Sequence, residues 1–348
     1  MTPLVPDAAW GDLVHYWYAA ARSDELGRRP LAATLLGLRL VLWRTRDGRA
    51  RAFVDRCLHR NALLSKGEVF DDCLGCPYHG WSYAADGRLV GVPSLGPSPA
   101  PELSLQTFPV IEQDGLVWVW LSPRTPDKTP HRMPHWDTPG WGRYYMRTRF
   151  QNGVTNLVEN FMDVPHTVFV HRGWFRRRAQ REVPIAVERT RDSVLVTYHQ
   201  PHDRIGWSDR LMNPRGLPLV HTDKFWLPSH TRVDYLWGDD ERAFVITSSC
   251  TPIAPFETDV HTLISYKLGG VMNLAARAWL PFYTRRVIQQ DVVIMQNQGE
   301  SLRHHGAPAF HGTAADLIHE HIEALRDWAR DERQPRPEPR VDHAVIYV

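Results

Sequence analysis

Cys57-Leu58-His59 and, after residues 60–75, Cys76-Pro77-Tyr78-His79-Gly80-Trp81 form the stretch on which the reading of this 348-residue chain turns. Two Cys and two His in the order C-x-H and C-x-x-H can hold a [2Fe–2S] cluster, with both thiolates on one iron and both imidazoles on the other. Exchanging two anionic ligands for neutral imidazoles raises the reduction potential above that of an all-Cys cluster, so the stretch implies a group that takes up electrons readily. Zinc accepts the same four ligands and is the competing reading. Zinc modules, however, usually pair like with like, as C-x2–4-C followed by H-x3–5-H, whereas each arm here carries one Cys and one His.

The residues around the stretch read as short strands. Residues 38–43 are apolar and β-prone, Asp47-Gly48 is a hairpin signal, and residues 50–54 return toward Cys57. A second Asp-Gly pair, Asp86-Gly87, leaves the second ligand loop, and a third, Asp114-Gly115, launches the apolar run 116–121. The aromatic segment 15–20 reads as a strand or short helix packed on the same body. Residues 1–122 are therefore expected to form an antiparallel all-β domain carrying two metal loops. Residues 123–140 hold Pro123, Pro126, Pro130, Pro134 and Pro139 and read as a linker. Residues 141–348 open with a strand at 144–150, pass through a helix at 151–171, and continue with strands at 185–189, 194–198, 232–236, 243–247 and 261–268. Helical runs at 272–297 and 313–332 are expected to close the chain. Helices before and after a block of strands indicate an α+β domain with helices over one face of an antiparallel sheet.

Composition sets the outer bounds. The chain is 43% hydrophobic and 11% aromatic, ordinary for a globular protein of two domains. Its formal charge of +2 comes without a concentrated basic field, which argues against nucleic acid as a partner. Three of the four Cys (Cys57, Cys73, Cys76) lie in the cluster stretch, which suits metal chemistry in a reducing compartment better than a disulfide framework. Cys73 and Cys250 read as ordinary buried thiols. Residues 1–10 lack a secretory pattern and no run approaches a membrane span, so a cytoplasmic location away from membranes is expected. No G-x-G-x-x-G nucleotide fingerprint occurs, so reducing equivalents must come from another protein.

The helix expected over 151–171 carries Asn156, Glu159, Asn160, Asp163, His166 and His171. Glu159, Asp163 and His166 share one face at i, i+4 and i+7, opposite Val154, Leu157, Val158 and Phe161. A solvated amphipathic helix would look the same. His166 and His171 are five residues apart, and a regular helix would point them roughly 140° from each other. Pro165 must distort the helix at that point, and a π-type turn would return the pair to one face. Two His with one carboxylate form the facial triad of non-haem Fe(II) sites that bind O2. Asp291, set in the otherwise neutral run 289–295, is the expected third ligand, with Asp239, Asp240 and Asp259 as less suitable acids. Arg172, Arg176, Arg177, Arg178 and Arg181 form a basic cluster that is either simply solvated or a docking surface for an acidic redox partner.

Both motifs together resemble the α subunit of a Rieske non-haem iron oxygenase over nearly the whole chain, and its length resembles the vanillate O-demethylase and dicamba monooxygenase branch. The matching segments are Cys57-Leu58-His59, Cys76-Pro77-Tyr78-His79-Gly80-Trp81, residues 159–166 with His171, and the Asp291 region. Gln290 departs from that branch, where an acid often precedes the iron-binding Asp. The resemblance implies a Rieske domain with Cys57, His59, Cys76 and His79 on its cluster. A helix-grip (START-like) catalytic domain follows, with Fe(II) on His166, His171 and Asp291 and Asn160 as a further catalytic residue, and the whole assembles as a homotrimer. It further implies that Asp163 bridges His166 to His79 of the neighbouring subunit, and that NAD(P)H feeds electrons through a separate reductase, directly or via a ferredoxin. The expected activity is O2-dependent hydroxylation or oxidative demethylation of a small aromatic or heterocyclic molecule. Arene cis-dihydroxylation and a non-catalytic electron carrier with a ligand-binding domain are the alternatives.

Overall fold

The three Asp-Gly pairs all turn hairpins in the computed structural model, which describes residues 4, 6–172, 174, 181–200, 209–238, 241–306 and 310–348. At Asp114-Gly115 both residues have positive φ (52° and 76°), the backbone of a two-residue type I′ turn. The turns at Gly48 and Gly87 are three-residue loops that end on a glycine with φ near 87–88°, which a side chain would strain.

These turns join the strands of a first compact unit, Met1–Arg132. Its strands are β1 (Trp17–Arg22), β2 (Leu31–Leu35), β3 (Leu38–Arg44), β4 (Ala50–Val54), β5 (Glu68–Phe70), β6 (Cys73–Gly75), β7 (Ser82–Tyr83), β8 (Leu89–Gly91), β9 (Thr107–Phe108), β10 (Val110–Gln113) and β11 (Leu116–Trp120). They make three antiparallel sheets, ordered β1-β11-β10, β2-β3-β4-β9 and β5-β6-β7-β8. The segment 15–20 divides between a 3₁₀ turn (Ala8–His15) and β1. Trp43, Phe53, Tyr83, Leu64 and Leu74 pack one core directly beneath Cys57 and Cys76. Cys250 is buried, but Cys73, expected to be buried as well, is only half-buried because it starts an edge hairpin after the exposed Asp71 and Asp72.

The second unit, Met133–Val348, is one eight-stranded antiparallel sheet with helices. Its strands are β12 (Gly142–Phe150), β13 (Glu182–Arg189), β14 (Ser193–Tyr198), β15 (Leu219–Trp226), β16 (His230–Trp237), β17 (Arg242–Ala254), β18 (Glu257–Lys267) and β19 (Arg340–Tyr347), ordered β12-β18-β17-β16-β15-β14-β13-β19. The helices are α1 (Val154–Met162), α2 (Asp209–Met212), α3 (Gly270–His305) and α4 (Leu317–Arg330). The first half of α3 lays Ala276, Leu280 and Tyr283 against Met146, Tyr235, Phe244, Ile264 and Tyr266 of the sheet, the helix-grip arrangement. Ile318, Ile322, Leu325 and Ala329 form the buried stripe of α4.

Two expectations are corrected, and one strand is added to those expected. Helix 151–171 stops at Met162: Asp163 is extended (ψ 105°), and a 3₁₀ turn over Pro165–Val168 follows, so no π-type turn is involved. Proline cannot donate to the preceding turn, and the short 3₁₀ segment leaves the His171 stretch free to fold back. Residues 219–226 are a strand whose Asp and Lys hid its alternation, although Leu219, His221, Asp223 and Phe225 all face inward. The chain closes on β19, an edge strand paired with β13, not on a helix. No helix among the described residues is long and apolar enough to cross a membrane.

Candidate metal centres

The first site sits on two tight loops. One follows β4, where Cys57 N–H donates to Ala62 O and Asn61 N–H to Cys57 O; the other caps the β6–β7 hairpin, where Cys76 N–H donates to Trp81 O and Gly80 N–H to Cys76 O. The Cys57 and Cys76 side chains are buried, His59 is half-buried and His79 exposed, so the thiols point inward and the imidazoles outward. The imidazole rings lie 4.6 Å apart between centroids, and Trp81 stacks on His59 at 4.7 Å with the planes 2° apart. The Tyr83 hydroxyl lies 3.2 Å from Cys57 Sγ and accepts the Leu58 N–H at 3.1 Å. Burial pushes the Cys76 thiol up, opposed by the backbone N–H groups of Tyr78 and His79. His59 Nδ1 is buried without a partner, an orphaned nitrogen that fits a ligand position. The four groups do not close on one point as a zinc tetrahedron would require. Among the described residues, the group of three or more His, Cys, Asp or Glu that does so is elsewhere.

That group is His166, His171 and Asp291. His166 Nε2 and His171 Nε2 lie 3.3 Å apart, and Asp291 Oδ1 lies 3.5 Å from the first and 3.3 Å from the second. The centre of such a triangle is roughly 2 Å from each corner, the length of a bond from a first-row transition metal to nitrogen or oxygen. Two imidazoles and one carboxylate on three corners of such a site form the donor set of two-His-one-carboxylate non-haem iron sites, which keep further positions open. Burial pushes Asp291 up, but hydrogen bonds and charge from His166 and His171 outweigh it and hold the carboxyl at about 2. Burial lowers His166, but its hydrogen bond to Asp291 carries it above its usual range.

Neighbouring groups fix both imidazoles. His171 Nδ1–H donates to Gln290 Oε1 at 3.0 Å, and His166 Nδ1–H donates to the Asp163 carbonyl, which turns both Nε2 atoms toward Asp291 as the ligand atoms. Asn160 Nδ2 donates to Asp291 Oδ1 at 3.3 Å. The Asp163 carboxylate lies 3.7 Å from His166 Nδ1, and burial pushes it above its usual range against the pull of His166. Asp163 also lines a second cavity with Asn156, Glu159, Asp316, His319 and Glu323. Glu159, which shares the expected polar face, turns into that second cavity and does not join the triad.

Asp259 is engaged by Arg147 at 2.6 Å and Arg149 at 3.7 Å, a role away from the triad; Asp239 and Asp240 lie outside the described residues. Of the basic cluster, Arg172 and Arg181 are exposed, and Arg176, Arg177 and Arg178 lie outside the described residues. Sequence reasoning missed Gln290 as a hydrogen-bond acceptor, although its place next to Asp291 was the available signal. It also missed Tyr83, which the alternation Trp81-Ser82-Tyr83 turns inward, and Asn152, whose amide joins α1 to α3 through Met295 O (2.9 Å) and Gln298 Oε1 (2.8 Å). The triad opens onto a cavity of about 110 Å³ lined by Phe161, Thr167, Tyr235, Phe244, Ile264 and Val287 among others.

The profile of the Rieske [2Fe-2S] domain matches residues 16–109, and that of the vanillate O-demethylase oxygenase C-terminal domain matches residues 152–317. The chain thus carries a Rieske [2Fe-2S] domain followed by an oxygenase domain of the vanillate O-demethylase kind. The oxygenase component of dicamba O-demethylase from Stenotrophomonas maltophilia is 34% identical over 228 residues, covering 64% of this chain and 62% of its own. A putative iron-sulfur subunit of a toluene-4-sulfonate monooxygenase system, TsaM2, from Comamonas testosteroni is 36% identical over 159 residues, 44% of this chain and 45% of its own. The chain spans less than two thirds of the length of these curated relatives. In fold it is similar to dicamba monooxygenase bound to dicamba (TM-score 0.77, 22% identity, 92% of this chain and 98% of that one). It is equally similar to Pseudomonas putida CBB5 NdmA with caffeine (TM-score 0.77, 22% identity, 95% and 97%).

Proposed function

We propose that this chain is the terminal oxygenase component of a Rieske non-haem iron system, acting in the cytoplasm as a homotrimer. It takes electrons from a separate reductase, directly or through a ferredoxin, and uses O2 to hydroxylate or oxidatively demethylate a small aromatic or heterocyclic molecule. The observation that carries the reading is the convergence of His166, His171 and Asp291 on the wall of a largely apolar cavity, in a chain that also presents the Cys57, His59, Cys76, His79 set. The cluster, on those four residues, would supply single electrons, and iron at the triad would supply O2 activation at its open positions.

The chain's own residues have defined tasks in that scheme. Gln290 and the Asp163 carbonyl hold the two imidazole tautomers, and Asn160 orients Asp291. Phe161, Phe244, Ile264 and Val287 keep water from the reacting carbon. Asp163, set between His166 and the second cavity, is suited to accept a hydrogen bond from His79 of a neighbouring subunit and so join the two metal sites. For a methyl ether, one O2, two electrons and two protons yield the hydroxymethyl ether and water, and the hemiacetal then releases formaldehyde.

The test is iron, zinc and acid-labile sulfide per chain in anaerobically prepared protein, followed by oxidation of candidate substrates under labelled O2 with a reductase. About three irons and two sulfides per chain, with one labelled oxygen in a hydroxylated product or in the formaldehyde released by demethylation, is the expected result. Two labelled oxygens would mean arene dihydroxylation. Two irons with two sulfides, unchanged after Fe(II) is added, would make the chain an electron carrier.

A further inference from the structure

The cavity beside the triad has a floor built of three rows across neighbouring strands. Register sets Thr231, Ser248 and Thr262 side by side on β16, β17 and β18, then Val233, Ile246 and Ile264, then Tyr235 and Phe244 on β16 and β17. The floor therefore grades from hydroxyls through aliphatic to aromatic side chains. Thr231, Ser248 and Thr262 are 2–3% exposed, so this polar row is a buried one.

The hydroxyls of the lining are uncharged and partly committed. Ser248 and Thr262 hydrogen-bond each other at 3.0 Å and use one hydrogen between them, Thr167 donates to Val164 O at 2.7 Å, and Thr284 donates to Leu280 O at 2.9 Å. Since Thr284 uses its own hydrogen there, Tyr144 donates to it at 2.8 Å. These groups offer a ligand lone pairs and, within the row, hydroxyl hydrogens, but no compensating charge. Among the described lining residues there is no Lys or Arg, and the charged or ionisable side chains apart from the tyrosines are the triad itself. Fe(II) held by Asp291 and two neutral imidazoles would leave a net positive charge at the triad end only. A substrate that turns its reacting carbon toward the triad must place its other groups among hydrocarbon and acceptor hydroxyls. An ionised group buried there without a partner is strongly disfavoured, whereas a neutral N–H or O–H donor is satisfied.

We infer that the substrate is an uncharged small ring compound bearing a neutral hydrogen-bond donor, and that the Thr231, Ser248, Thr262 row excludes anionic analogues. This rests on the oxygenase reading of the same cavity. The fold by itself does not decide the matter, since its solved neighbours bind both dicamba, an acid, and caffeine, which is uncharged. A cavity of about 110 Å³ favours a small ligand over an extended one.

The test uses toluene-4-sulfonamide and toluene-4-sulfonate, which are close in shape, differ in charge and coordinate Fe(II) weakly. Their dissociation constants are measured by calorimetry on the metal-loaded protein. The sulfonamide is expected to bind at least tenfold more tightly. Ser248→Lys, checked for folding by circular dichroism, is expected to reverse the order by placing an ammonium in the hydroxyl row. Sulfonate binding to the unaltered protein as tightly as the sulfonamide, or binding of neither, overturns the inference. Iron content measured on the same sample separates the two readings. A triad that holds iron while the sulfonate is preferred sinks the substrate class alone. A triad that holds no iron while the sulfonamide is preferred sinks the oxygenase reading alone.

Discussion

The Cys57–His79 loops and the His166–Asp291 site solve the same problem, holding several ligands at fixed distances, by different routes. The first gathers its ligands from two turns on short hairpins, each closed by backbone hydrogen bonds within a few residues. The second brings together a 3₁₀ turn, the stretch after it and the middle of α3, and His171 finds its hydrogen-bond acceptor 119 residues further along the chain. A site of the first kind depends on turn geometry. One of the second kind depends on how α3 lies against α1. That seam is held by Asn152, buried and bonded to Met295 O and Gln298 Oε1, and by Gly299, where an added Cβ would come within 2.1 Å of Gln151 O.

Reciprocal substitutions test whether the two sites are independent. Asp291→Ala should abolish turnover and lower iron from about three to about two per chain while the visible spectrum of the cluster persists. Cys57→Ser should abolish reductase-driven turnover and bleach the cluster spectrum while one Fe(II) still binds at the triad. Loss of both metals in either variant would show that the two regions do not hold their metals independently.

Asp163→Asn is expected to keep both metals, since the His166 Nδ1–H stays on the Asp163 carbonyl, and still lower turnover by about 100-fold or more, because the amide lacks the negative charge that would hold His79 of a neighbouring subunit beside His166. Turnover at the unaltered rate would remove Asp163 from electron transfer. Gln290→Ala should weaken Fe(II) binding about 10–100-fold, read by titration, by freeing the His171 ring. An unchanged affinity would mean that backbone packing alone orients His171.

Gly299→Ala should destabilise the second unit by about 1–3 kcal/mol in a denaturant titration and weaken iron binding, since α3 must move off Gln151. The cluster spectrum should stay unchanged, which sharpens the contrast between local and distant assembly. The smallest effect concerns Glu159, whose carboxyl burial pushes up to about 8. A carboxyl with a raised folded pKa binds its proton more tightly in the native state. Its contribution is therefore complete below its ordinary pKa and is lost as pH rises toward 8. Glu159→Gln should remove that loss and leave a variant on the order of 1 kcal/mol more stable than the unaltered protein at pH 9, with little difference at pH 5. Parallel stability curves from pH 5 to 9 would contradict the buried carboxyl.

Much of the molecule was legible in order along the chain. Asp47-Gly48, Asp86-Gly87 and Asp114-Gly115 marked their hairpins because a turn's backbone is set by the residues within it. The spacing of Cys57, His59, Cys76 and His79 was readable for the same reason. Strand β15 escaped notice because Asp223 and Lys224 broke its hydrophobic alternation, although buried Asp223 is satisfied by His221 and Tyr198. Strand β19 escaped notice because an edge strand is half-exposed, and polar residues on its open face blur the pattern.

The sequence by itself determined which residue types were available for two metal sites, because ligand chemistry and local turn geometry are properties of short segments. It also pointed to Asp291, since a lone carboxylate in a neutral helical run is conspicuous. Tertiary structure alone decided that Gln290 serves His171 and that Thr231, Ser248 and Thr262 line up on one cavity floor. Those facts depend on strand register and on the seat of α3 against α1, which arise from contacts between segments far apart in the chain and leave no periodic trace within any one of them.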